Sequence, residues 1–195
     1  HSPEELMKMS NNSKDLCDGL GTKRVTNFLE ASFRPVQISD SDKLLSWRNK
    51  PFVREMSVDQ KIISKKEHTK WMTKTQDVSK GIWLIYSEGD VEIGHCNSVF
   101  LSEDTVFWSF YLSADNFSKG TGKRMLAFFL KKLFYEKEIK TITAKVLEWN
   151  QKSKMIHRHF GFTRRSKVKQ VLTYTLSKRK FEYRFYNSGK IKSLM

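Results

Sequence analysis

The chain of 195 residues is 38% hydrophobic and 13% aromatic, which fits one packed domain with an extension and excludes a disordered chain. No apolar run can span a membrane, no charged-then-apolar leader opens the chain, and Cys17 and Cys96 stand alone; this excludes a disulfide framework or a CxxC metal site and makes a reducing cytoplasm the expected location. The formal net charge of +15 points first to nucleic acid, but the basic residues are spread along the chain without a zinc-finger or RNA-recognition signature, so a phosphorylated small molecule is an equal partner for such a surface.

Residues 1–31 read as an N-terminal extension: a polar segment, an Asp-Gly-Leu-Gly turn and a short helix from Thr22 to Glu30. A new start follows. "SFRPVQI", Ser32 to Ile38, is a strand, and Ser/Asp caps the next helix, which carries Leu44, Leu45 and Trp47. A second helix is predicted from Ser64 to Lys74, with Ser64 and Glu67 at capping-box spacing and Trp71 and Met72 on its apolar side. Then "GIWLIYSEGD", "VEIGHCNSVFL" and "TVFWSFYLS", joined by short polar turns, predict an antiparallel meander. A helix over Gly120 to Tyr135 gathers Met125, Leu126, Phe129, Leu130, Leu133 and Phe134 on one face. "KTITAKVLEW" is a buried strand, and "NQKSKMIHRHFGF" is a short helix capped by Asn150 and closed by Gly161. Two closing strands are expected over Val168–Tyr174 and Tyr174–Ser177, with a domain spanning 32–180 and a tail over 181–195. The expected fold class is α/β of the α+β kind: a mixed, mostly antiparallel sheet of about seven strands with flanking helices and one right-handed βαβ crossover.

Gly120-Thr121-Gly122-Lys123 stands at a helix start. Free backbone N–H groups and the helix dipole favour an anion there, glycines let it approach, and Lys119, Lys123 and Arg124 add charge. The expected ligand is a phosphate or pyrophosphate; a glycine loop before a packed helix is the plain alternative. The stretch is not a P-loop, lacking the Gly-Lys-Ser/Thr ending, nor the dinucleotide fingerprint, whose third glycine is replaced by Met125. Strand alternation aims His95 and Asn97 to one side and Cys96 to the other. His157 is either a titrating group or a surface histidine on its helix, and Glu148 either a base at a strand end or a solvated charge.

The order of strand, G-x-G, helix, strand, Asn-capped helix and "HFGF" resembles the Gcn5-related N-acetyltransferase superfamily over about residues 33 to 178. The resemblance implies a central parallel pair that splays apart and acetyl-CoA as co-substrate without a metal. Its pyrophosphate loop, Arg/Gln-x-x-Gly-x-Gly/Ala, corresponds to Phe117-Ser118-Lys119-Gly120-Thr121-Gly122, with Phe117 departing from the pattern. Asn150, Ser153, Gly161 and Phe162 match or nearly match the family's closing segment, and His157 stands where a tyrosine is common. Carried over, Lys119 to Arg124, Asn150, Ser153 and the backbone of Phe110, Tyr111 and Leu112 bind the cofactor, His157 is the candidate general acid, and Glu148 is the candidate base.

More narrowly, "WRNKPFVREMSVDQKIISKKEHTKWM", "IGHCNSV" and "FWSFYL" resemble nucleotide-sugar N-acetyltransferases of pseudaminic acid synthesis. That implies an acceptor site at Trp47, Arg48, Asn49, His68, Trp71, His95 and Asn97, with arginine suited to a diphosphate and aromatic rings to a uracil or sugar face. "LCDGLGTKRVTNFLE" resembles the end of the same pathway's UDP-sugar hydrolase, implying a covalent fusion. The expected partner is a nucleotide sugar, with membrane excluded and nucleic acid disfavoured, and the expected state a monomer or homodimer. Acetylation of a protein N-terminus or other amine, and a basic nucleic-acid-binding module, stand as alternatives.

Overall fold

In the computed structural model, which describes Ser2, Glu4 and residues 31–186, the chain runs β1 (Ala31–Pro35), α1 (Ser41–Asn49), α2 (Pro51–Arg54), α3 (Lys65–Thr75), β2 (Gly81–Glu88), β3 (Val91–Phe100), β4 (Thr105–Leu112), α4 (Thr121–Lys131), β5 (Thr141–Leu147), α5 (Gln151–Phe160), β6 (Thr163–Val168), β7 (Val171–Ser177) and α6 (Lys178–Tyr186). The helix expected at Thr22–Glu30 and the hydrolase-like stretch lie outside the described residues. The seven strands make one sheet, ordered β1-β2-β3-β4-β5-β7-β6. Every neighbouring pair is antiparallel except β4 and β5. That parallel pair is in register only over Thr105↔Thr141, Val106↔Ile142 and Phe107↔Thr143. Beyond Phe107 the strands part, so the expected splay is present.

Helices cover both faces of the sheet, and strand alternation divides the apolar side chains between them. Leu84 and Tyr86 of β2, Cys96 of β3 and Trp108 of β4 join a large core with α4, whereas Trp83 and Ile85 join a smaller one with Leu44 of α1 and Met72 of α3. The predicted face of α4 is realised: Met125, Leu126, Phe129 and Leu130 are fully buried. The helix then widens into a π turn, Lys132–Glu136, that buries Leu133 and Phe134 as well. Each of these large side chains contributes roughly 1.5–3 kcal/mol by leaving water. The capping box of α3 is formed: the Ser64 hydroxyl accepts from Glu67 N, and the Glu67 carboxylate accepts from Ser64 N at 2.9 Å. At α1 the expectation changes in detail. The Asp40 carboxylate turns back to accept from Gln37 N at 2.9 Å and to hold Arg34 at 2.7 Å, so it caps the preceding 3₁₀ turn.

The closing strands are corrected. The closing hairpin is β6 and β7, turning at Lys169, whose φ of 52° is left-handed, in place of strands meeting at Tyr174. Thr163–Val168 is an exposed edge strand, so its basic residues carry no apolar alternation; their charge guards the open edge. Residues 178–186 form α6, and its Phe181 is buried against Phe134 with ring centroids 5.2 Å apart. No described helix is long and apolar enough to cross a membrane.

Candidate active site

A cavity of about 920 Å³ is lined by the diverging halves of β4 and β5 together with α3, α4 and α5. Alternation along β4 gives it two sides. Phe110 and Leu112 pack toward the core built on α4, while Ser109 and Tyr111 sit opposite Asn97 and His95 of β3.

On the first side lies the start of α4. Gly120 has a φ of 99°, a left-handed conformation that side chains rarely adopt. A Cβ on Gly122 would meet only Ile156 Cδ1 at 3.8 Å and Leu112 Cδ1 at 3.9 Å, so it would protrude into the cavity. The Thr121 N–H is held by Ser118 O at 3.2 Å, and Arg124 N by Gly120 O at 3.0 Å. In the first helical turn the N–H groups of Gly122 and Lys123 have no carbonyl inside the helix. Lys119 and Lys123 are exposed beside them. These features suit a phosphate group held by main-chain N–H donors. Arg124 differs from the expectation. Its Nε and Nη2 donate to the Glu88 carboxylate at 2.8 and 2.9 Å, so its charge is balanced inside the protein. Asn150 caps α5 through Ser153 N at 2.9 Å and also donates to Met56 O at 3.3 Å.

Neither candidate catalytic residue presents a free titratable group to the cavity. His157 is buried, with 1% exposure. The indole N–H of Trp108 can only donate, and it donates to His157 Nε2 at 3.3 Å; His157 Nδ1 therefore carries the proton and donates to Ser153 O at 2.8 Å. Burial pushes its pKa down to about 4. A neutral imidazole with both nitrogens engaged has no proton to offer the cavity, so His157 is neither the surface histidine nor a fitting general acid. Its ring is boxed by Trp108, Phe110, Phe162 and Tyr174 and props the cavity wall. Glu148 does not line the cavity. It forms a half-exposed ion pair with Lys167 at 2.6 Å, and that hydrogen bond holds its carboxyl below the usual range, which does not suit a base.

The second side gathers most of the expected acceptor residues: Arg48, His68, Trp71, His95 and Asn97, with Tyr111. His95 is 1% exposed, and neither ring nitrogen has a hydrogen-bond partner. Its ring centroid lies 5.8 Å from Trp71 and 5.2 Å from Tyr111. Burial first, and then nearby His68, push its pKa down to about 3, which keeps it neutral. His68 bonds the Ser41 backbone, leaving Nε2 buried and unpartnered. Arg48 Nη2 donates to Asp59 O at 2.6 Å, and its buried Nη1 has no partner. Burial keeps the Tyr111 phenol protonated by raising its pKa. As alternation predicted, Cys96 faces the other way, into the core, where burial raises its thiol pKa.

Two of the expected acceptor residues do not line the cavity. Trp47 packs against the smaller core beside Lys43 and does not reach the cavity. Asn49 brackets Ile63, donating to its carbonyl at 2.9 Å and accepting from its N–H at 2.8 Å. Asn49 thereby ties down the loop of residues 55–63, which Trp149 also holds through Glu55 O at 3.3 Å. That loop contributes Glu55, Met56, Ser57, Val58, Asp59 and Ile63 to the cavity. The loop lies inside the Trp47–Met72 stretch that carries the narrower resemblance, but no residue of it is singled out as a site residue; its Met56, Val58 and Ile62 are apolar side chains left exposed. Among the described residues no group of three His, Cys, Asp or Glu side chains is placed to hold a metal.

A seven-stranded mixed sheet whose parallel pair splays beside such a loop is the architecture expected of an acetyltransferase. The acetyltransferase (GNAT) domain family matches residues 33–178, and the chain belongs to it. It is accordingly an acetyl-CoA-dependent N-acetyltransferase. No curated protein sequence matches the chain. Among solved structures, the Campylobacter jejuni N-acetyltransferase PseH is similar at a TM-score of 0.60 and 16% identity, over 76% of this chain and 99% of that one. The spermidine N-acetyltransferase from Vibrio cholerae, in complex with CoA and spermine, gives 0.70 at 12% identity over 78% and 98%. FdhC, described as a nucleotide-linked sugar GNAT, gives 0.68 at 14% identity over 83% and 94%. At these identities the likeness is one of fold.

Proposed function

We propose that this acetyltransferase acts on the amino group of a nucleotide-linked amino-dideoxy sugar, the 4-amino group of UDP-4-amino-4,6-dideoxy-N-acetyl-β-L-altrosamine, in pseudaminic acid synthesis. The observation that carries the reading is the second side of the cavity. Arg48 offers an unpartnered guanidinium nitrogen suited to a diphosphate, Trp71 a flat face for a base or sugar, and His68 and His95 neutral imidazole nitrogens for sugar hydroxyls or the amine. The resemblance of the Trp-Arg-Asn and Glu-His-x-x-Trp elements to nucleotide-sugar acetyltransferases supports the same acceptor, as does the fold shared with PseH and FdhC. Acetyl-CoA lies along the first side, its pyrophosphate on the Lys119 to Arg124 backbone and its thioester near the ends of β4 and α5, where Phe110 to Leu112 and Ser153 line the wall. The neutral amine attacks the thioester carbonyl; the C–N bond forms, the C–S bond breaks, and CoA leaves as the thiol while the amine gives up its proton.

Thiol release from acetyl-CoA with the 4-amino UDP-sugar tests the assignment, and no release with that sugar refutes it. A second reading has its own support. Glu55, Asp59, Glu67 and Asp115 also line the cavity, and carboxylates suit a polyamine such as the one bound by the Vibrio cholerae structure. Spermine run beside the sugar separates the two.

A further inference from the structure

Arg124 is an unusual residue for the first turns of a helix, where the dipole already disfavours a cation. Its partner comes from the sheet. Glu88 closes β2 on the face shared by Leu84 and Tyr86, beneath α4, and its side chain is 3% exposed against 15% for that of Arg124. The Glu88 carboxylate takes Arg124 Nε at 2.8 Å and Nη2 at 2.9 Å, a two-pronged charge-assisted pair, and also accepts from the Tyr86 hydroxyl at 3.0 Å. From there the chain of contacts enters the loop. Arg124 Nη2 donates to Thr121 Oγ1 at 3.0 Å, and Thr121 Oγ1 meets Ser118 Oγ at 3.1 Å. Arg124 Nη1 lies 3.5 Å from the point where a Cβ on Gly120 would sit. Thr121 is 2% exposed, so its hydroxyl has no solvent alternative.

We propose that Glu88 is a positioning residue for acetyl-CoA: through Arg124 and Thr121 it latches residues 118–122 into their anion-receiving shape before the cofactor arrives. The glycines give the loop the freedom to adopt that shape and equal freedom to leave it, so a fixed anchor on the rigid sheet lowers the ordering cost of binding. The latch rests on the assignment of this loop to the cofactor pyrophosphate.

The test is calorimetric titration of free CoA into the full chain and into its Glu88→Gln and Thr121→Val variants. Beside it run acetyl-CoA KM and kcat, melting temperature, and amide hydrogen exchange over residues 119–124. A loop in the competent shape a tenth of the time binds about tenfold more weakly, and this is the loss expected for Glu88→Gln. Acetyl-CoA KM rises by the same factor while kcat stays within about twofold, because loop order is needed for ground and transition states alike. Thr121→Val shifts affinity the same way by a smaller factor, and it decides the matter if Glu88→Gln does not fold. A Glu88→Gln protein with a lower melting temperature but unchanged CoA affinity overturns the proposal, since Glu88 then only stabilises the fold. If CoA leaves the 119–124 amides of the unaltered protein unprotected, the loop assignment itself falls. Protection in the unaltered protein with unchanged affinity in both variants overturns the latch alone.

Discussion

The proposed cofactor end of the cavity relies on the main chain, whereas the acceptor end relies on side chains. At the first, Gly120 and Gly122 shape a loop in which Arg124 is engaged with Glu88 and Thr121 with Arg124 and Ser118, while neighbouring Asn150 is engaged with Ser153 N. At the second, Arg48, His68 and His95 keep buried nitrogens without a partner. A buried polar atom left unsatisfied costs roughly 1–3 kcal/mol, so the acceptor wall is folded at a disadvantage that a ligand removes. Specificity therefore lies in the acceptor wall. Many sequences can make the loop, but only particular side chains make the acceptor wall.

Breaking this division begins with pH, which acts on both ends. His157 titrates near 4 when folded, against 6.5 when unfolded. Between those values the unfolded chain binds more protons, so stability is complete above pH 6.5 and is lost as pH falls toward 4. One such histidine accounts for about 3 kcal/mol. His95, facing His68, Trp71 and Tyr111, adds in the same direction. Melting curves from pH 7 to 5 should show the fall, and His157→Gln should make it shallower. Next comes the loop: Gly122→Val should raise acetyl-CoA KM by about 100-fold through displacement of the cofactor, and acceptor KM should stay put. Third, His95→Leu should do the reverse, raising acceptor KM by about tenfold, the cost of a lost hydrogen bond in a dry site. Equal effects of these two variants on both substrates would erase the distinction between the ends. The smallest change is expected from Glu148→Gln, which removes a surface ion pair and should leave kcat within about twofold.

The loop, the Asn150 cap and the apolar face of α4 were legible because each is written locally, in glycine placement, cap spacing and a helical period. The parallel pair was legible through the motif order. What escaped was non-local. Arg124 meets a carboxylate 36 residues away, and His157 meets an indole 49 residues away, so neither the neutralised charge nor the fixed tautomer shows in the neighbouring sequence. Edge strand β6 escaped for a different reason: with one face solvated and the other shallow, it has no apolar alternation to read.

The most direct test of the division is a ternary crystal structure with CoA and the 4-amino UDP-sugar. The CoA pyrophosphate is expected on the main-chain N–H groups between Lys119 and Arg124, with the nucleotide sugar held by Arg48, His68 and His95 and its amine facing the CoA sulfur. CoA phosphates bound away from that loop, or a sugar nucleotide that leaves His68 and His95 unpartnered, would contradict it.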